Sequence, residues 1–351
     1  MKNIVQRGLI IQLRQGFVGL AVILMVMVGG AVQSQDIHFS QFSSSPSTLN
    51  PASTGVYEGQ FRVVYNFKDQ WKTIAFPYRT NSFSFDMPFA REFISKGAMA
   101  AGISVVADKA GDLNVGTTLI NLSYSVNKYL NRENNISVGL QGGFGQRSMK
   151  GEQRWNSEYD PNSADGYTDI PVTSTAVQNF SYGDFSGGLL WSYKSNGFKA
   201  HAGVALFHLN QPNQSSLGDK TKLPAKLAIH GGATIPIKDN ALGVIPQLLV
   251  LKQGPQYEAN VGALVKFRLQ EASRYTGEIT ETAVYIGGWY RFSDAFILNA
   301  RLDWMNFALG MSYDINLSKI KVATESRGGF EISLMYVHPF KATRTTATPL
   351  M

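Results

Sequence analysis

The residues able to do chemistry in this 351-residue chain are few and scattered, beginning with five histidines at 38, 201, 208, 230 and 338. His201 and His208 are the nearest pair in sequence. They lie seven residues apart, an odd spacing that on one extended strand predicts opposite faces and no shared metal. Local spacing offers no Ser-His-acid arrangement for nucleophilic catalysis. GLQGGFG, Gly139 to Gly145, has the glycines of a phosphate loop but sits inside an alternating, strand-like run with no helix after it. DPNSADG, Asp160 to Gly166, suggests a calcium loop, yet Ala164 stands where an oxygen ligand is needed, so a polar turn is expected. The reading is a non-enzymatic chain with no catalytic residues, no metal ligands and no cofactor.

Composition asks what else such a chain could be. Cysteine is absent, so disulfides hold nothing. Lys2, Arg7 and Arg14 precede an apolar run from Phe17 to Val28 that closes in small residues, the layout of a secretory signal peptide cleaved after Ser34. The run is short against the ~20 residues of a spanning helix. Taking those three cations from 32 leaves 29 against 25 anions, a net charge of +4 that is too small and too even to attract nucleic acid. Charged residues are only 16% of the chain, well under the ~25% usual for soluble domains. No second apolar run is long enough to span as a helix, so a membrane form of this chain must cross with strands.

The strand signal is strong. In NFALGMSYDINL, Phe307, Leu309, Met311, Tyr313, Ile315 and Leu317 share one parity, and Ala308, Gly310, Ser312, Asp314 and Asn316 share the other. Side chains of a strand alternate between faces, so one face is wholly apolar and the other small and polar. AFILNARLDW and GGFEISLMY repeat the pattern, as do the runs around Val64, Phe83, Leu122 and Ala263. Fourteen strands are expected, centred near Val64, Phe83, Ile103, Leu122, Leu140, Gly187, Ala205, Ala228, Leu248, Ala263, Ile286, Leu298, Met311 and Leu334. Long links follow strands five, seven and thirteen, and short turns follow four, six, eight and twelve. An even count with long links on one rim predicts an all-β transmembrane antiparallel barrel of the outer membrane, both termini in the periplasm and the link Gly151 to Thr175 outside. The links Phe89 to Gly97 and Gln270 to Thr280 break the alternation. A soluble β-sandwich would also alternate, but its polar faces would carry more Lys and Glu.

The two ends of the mature chain carry motifs. HFSQF, then a proline, then LNPASTG, and FKDQW after the next strand, resemble the start of the PorP/SprF family of type IX secretion system membrane proteins. GGWYRFSDAF, GMSYDINLSKIKVAT and GGFEISLMY are similar to the family's C-terminal blocks. The resemblance implies an outer-membrane barrel that works with the type IX secretion and gliding machinery. It also implies partners in the periplasm or outer membrane, among them a large secreted adhesin in helper members.

The division expected is a signal peptide 1–34, an N-terminal periplasmic segment or barrel plug 35–59, a barrel 60–340 and a flexible tail 341–351. In the second segment the candidate residues are Phe39, Gln41, Phe42, Pro46, Leu49, Asn50, Pro51 and Gly55. Its prolines forbid a continuous regular element. Either the segment tucks into the barrel mouth, or Phe39 and Phe42 anchor a periplasmic partner. In the last strand, Phe330, Ile332, Leu334, Tyr336 and Phe340 form the candidate barrel-assembly signal and interface girdle, which touches outer-membrane lipid. The competing function is a channel or transporter for small or hydrophobic solutes, whose wettable lumen would be the Gly, Ser and Asn faces.

Overall fold

The computed structural model describes residues 36–70, 78–90, 97–110, 115–148, 179–214, 222–237, 241–271, 281–318 and 324–339. The expected signal peptide, the link Gly151 to Thr175 with its DPNSADG turn, Phe340 and the tail lie outside these residues.

Fourteen antiparallel strands close into one barrel: β1 (Phe61–Gln70), β2 (Tyr78–Phe89), β3 (Gly97–Ala110), β4 (Val115–Tyr129), β5 (Asn134–Ser148), β6 (Phe180–Ser195), β7 (Phe198–Phe207), β8 (Lys226–Ile237), β9 (Leu242–Gln253), β10 (Gln256–Gln270), β11 (Thr282–Arg291), β12 (Ala295–Trp304), β13 (Phe307–Asn316) and β14 (Arg327–His338). Every strand pairs with its sequence neighbours. β1 and β14 close the ring in a continuous register from Phe61↔His338 to Gln70↔Gly329. Closure leaves no unpaired edge, which a chain in hydrocarbon requires. Each of the fourteen expected centres falls within its strand.

The alternation is inverted relative to a soluble protein. On β13, Phe307, Leu309, Met311 and Tyr313 are exposed, while Ser312, Asp314 and Asn316 are buried. On β4, Leu122 is 64% exposed and Ser125 is fully buried. Apolar side chains therefore cover the outer wall and small polar ones line the inside, the arrangement of a barrel in lipid.

At the two links that break the alternation the flanking strands pair directly, β2 with β3 and β10 with β11. The rim asymmetry is also weaker than the sequence suggests. Two-residue and three-residue connections join β9 to β10 and β11 to β12 on the rim that carries the long links.

Candidate functional site: a segment threaded through the lumen

Residues Asp36 to Gln60 run through the barrel interior. Two 3-10 turns (Phe42–Ser44 and Pro51–Ser53) flank a single helical turn, Pro46–Leu49. Pro46 and Pro51 each start a turn, where the missing N–H costs nothing. Asn50 caps the second 3-10 turn by accepting a hydrogen bond from the Ala52 amide at 2.9 Å, and the Ser53 hydroxyl donates back to the carbonyls of Asn50 and Pro46.

Such an irregular backbone leaves polar groups that no ladder satisfies. The lumen wall satisfies them. Lys68 donates to the carbonyl of His38 at 3.0 Å, Asn66 to Ser44, Ser137 to Ala52, Arg62 to Ser53 and Ser125 to Thr54. The carboxylate of Glu331 accepts from the amides of Ser40 and Gln41 at 2.8 and 3.0 Å, and Asp86 accepts from Gly55 at 2.7 Å. The polar parity of the strands is thus the complement of this segment's backbone.

Side chains complete the fit. The Phe42 ring meets Trp289 with centroids 5.5 Å apart, in an apolar sector formed by Leu249, Leu264, Tyr285 and Ile297, with Leu49 beside it. Phe39, Phe42, Pro46, Asn50 and Pro51 are buried, so neither aromatic candidate presents its ring outward. The glycines of the strands make room. A Cβ on Gly139 would run into the backbone of Pro51 and Ala52, and one on Gly188 would meet the Asn50 side chain. Gly139 and Gly188 are register partners, so they form a flat track for the Asn50-Pro51 corner. Gly55 itself has φ +71° and lies against Ala100, a conformation and approach suited to glycine.

Charge is concentrated at two levels. Near the rim of the long links, Arg291 donates to the Ser40 hydroxyl at 2.6 Å and pairs with Asp314 at 3.2 Å, while Ser40 donates to the same Asp314 carboxylate. Lys68 pairs with Glu331 at 3.2 Å, and His38 approaches Glu258 at 3.4 Å. At the opposite rim Arg62 grips Asp86 in a two-point contact, both bonds 2.9 Å, beneath the Tyr57 ring. Buried ions are tolerated when each is paired and hydrogen-bonded, as these are.

The segment begins at the long-link rim. Asp36 meets Lys226 at 3.0 Å and His208 at 2.5 Å, and its amide donates to Gln253. Burial pushes the Asp36 carboxyl up, but Lys226 and His208 outweigh it and hold it well below the usual carboxylate range. Burial pulls His208 down, but its bonds to Asp184 and Asp36 hold it above the usual imidazole value. From there the chain descends to β1, whose start pairs with the end of β14. Both barrel ends therefore share a rim, as expected, whereas Asp36 lies at the other; the chain's termini themselves lie outside the described residues.

A correction concerns the histidines. β7 ends at Phe207, and His208 takes a left-handed φ of +57°, which turns its ring inward despite the parity of the strand. His208 and His201 both face the lumen. His201 instead neighbours His230, ring centroids 5.9 Å apart. The Asn50 amide group sits 3.1 Å from His230 Nε2, and its oxygen is committed to Ala52, so Asn50 donates and the ring proton resides on Nδ1.

In the last strand Phe330 and Leu334 are exposed on the outer wall, with Ile332 between them on the same face. The Tyr336 ring lies 4.8 Å from Phe307 and 6.0 Å from Phe61, across the closing seam. Glu331, Asp314, Arg291 and Lys68 were not proposed as site residues in the sequence, where only their polar parity and their place in the end motifs marked them; His208 was weighed there only as a metal ligand.

Among solved structures, the chain is similar to the Ralstonia pickettii toluene transporter TbuX (13% identity, TM-score 0.51, covering 89% of this chain and 97% of that one). Weaker likenesses are BamA from Haemophilus ducreyi lacking POTRA domains 1-3 (9% identity, TM-score 0.42, 80% and 70%) and CdiB from Escherichia coli (9% identity, TM-score 0.45, 81% and 64%). At these identities the likeness is one of fold, the outer-membrane barrel. No curated protein matches the chain. The profile of the type IX secretion system membrane protein PorP/SprF matches residues 31–336, which take in both the threaded segment and all but the last two residues of the barrel, and the chain belongs to that family.

Proposed function

We propose that this protein is a non-enzymatic outer-membrane component of the type IX secretion and gliding machinery. It supports export or surface attachment of secreted proteins, large adhesins among them, through protein–protein contacts. Its long-link rim faces outward, and Asp36 to Gly55 acts as a resident plug that keeps the lumen shut. The observation that carries this reading is the hydrogen-bonded fit of that segment to the wall, from Glu331 on β14 through Asn50 on β6–β8 to Asp86 on β2. A lumen whose polar groups are engaged by the chain itself suits a closed scaffold better than a solute path.

The competing reading is a channel for small or hydrophobic solutes. A clean deletion strain separates the two classes. The proposal expects loss of secretion, adhesin display or gliding. A strain normal in all three, but impaired in uptake of a solute, would move the protein to the transporter class.

A further inference from the structure

We infer that the outer wall of β7–β9, beneath the long-link rim, holds a binding site for a phosphate-bearing glycolipid of the outer leaflet. Opposed residues of an antiparallel ladder share a face, and Leu206↔Leu227 and Leu227↔Lys252 are register partners. They stand on the lipid-facing parity, since their neighbours Phe207, Lys226 and Gln253 face inward, buried or bonded to the threaded segment. Above this row the connection after β7 folds back on itself. Asn213 bridges Lys222, and the Leu223 amide donates to the Pro212 carbonyl at 2.9 Å. The fold-back sets Gln211, Lys222, Pro224 and Ala225 beside Leu206, Leu227 and Lys252, around an open recess of about 440 Å³.

That volume falls within the range of ligand pockets, ~300–1,000 Å³. Its chemistry is unusual for a wall in hydrocarbon: a leucine and proline floor with two ammonium groups, Lys222 and Lys252. Lysine stems at such a boundary lie along apolar surface and carry their charge to the headgroup level. Basic pockets there select anionic headgroups. Tyr257 is the register partner of Lys252 and is exposed, an aromatic at the interface level. Two cations over one apolar floor match a lipid with two phosphates and acyl chains. With the long-link rim outward, as proposed above, that lipid is the diphosphorylated glycolipid of the outer leaflet.

Native mass spectrometry of the full-length purified barrel in detergent tests this, titrating in diphosphorylated lipid A, its monophosphorylated form and phosphatidylglycerol. The expected result is one retained diphosphorylated lipid, weaker retention of the monophosphorylated one, and a loss of roughly 25-fold in affinity for K222Q/K252Q, about fivefold per lysine. Heat-modifiable gel mobility of that variant should be unchanged, because both lysines lie outside the closed ladder's interior. Equal binding by the double variant, equal retention of phosphatidylglycerol, or stripping of the lipid by millimolar inorganic phosphate would each overturn the assignment.

Discussion

Glu331 holds Gln41 at two points, its carboxylate accepting the Gln41 amide and its carbonyl the Gln41 side-chain amide at 3.2 Å, and Ser333, two residues on, donates to the Gln41 side-chain oxygen. Two residues 290 positions apart thus fasten the threaded segment to the last strand.

Replacing Glu331 with Gln should loosen the segment rather than the barrel. It removes the charge that pairs with buried Lys68 and weakens the cradle for two backbone amides. Breaking a buried pair costs about 3 kcal/mol or more. Hydrogen exchange should rise at Ser40 and Gln41 while the β1–β14 ladder stays protected.

The Phe42 ring is the segment's main apolar contact, and Phe→Ala truncations of buried rings cost about 3–5 kcal/mol. A Phe39→Ala/Phe42→Ala double variant should make cells sensitive to large antibiotics or lower the heat-modification temperature, with partners still co-purifying. Loss of partner capture at normal barrel abundance and normal impermeability would instead make these residues docking anchors.

Gly139→Val tests the flat track. Its branched side chain would strike the backbone at Pro51 and Ala52, which has no rotamer to yield. The barrel should still close, since the residues on either side of Gly139 keep their ladder bonds, but the segment should become susceptible to protease. Gly142, whose added Cβ would meet only the edge of the Phe185 ring, is the matched control: Gly142→Ala should be silent.

The latch at Asp36 should depend on pH. His208 is raised above its ordinary 6.5, so its contribution is complete below that value and is lost as pH climbs through the raised one. Asp36 is lowered below 3.8, so its contribution is complete above that value and lost only in stronger acid. The latch is therefore strongest in weak acid and weakens in mild base, where Lys226 still holds Asp36. The protection factor of the Asp36 and Ile37 amides, taken against the intrinsic exchange rate at each pH, should fall between pH 6 and pH 9 in the native chain, and much less in His208→Gln.

How much of this was legible follows from what the solvent demands. Lipid outside imposes apolar alternation on every strand, so runs such as Phe307 to Ile315 could be read directly. The polar parity was legible as a class but not as a purpose. Asp86, Ser125 and Glu331 look like wetting residues until the backbone they serve is placed against them. GLQGGFG was readable as barrel glycine, yet only the position of Pro51 explains why Gly139 is there. His208 misled because parity ends with the strand, and a positive φ one residue later reverses the face. The direction of threading has no local signature at all, since it rests on contacts such as Asp36 with Lys226, 190 residues away.

The proposed function requires that Asp36 to Gly55 shut the lumen and that the protein work through its surfaces. Planar-bilayer conductance of the native barrel beside a variant lacking residues 36–55 tests it most directly. The native protein should be silent and the deletion should conduct stably, both with heat-modifiable mobility. A native barrel that conducts steadily and selectively, at a level the deletion leaves unchanged, would contradict it.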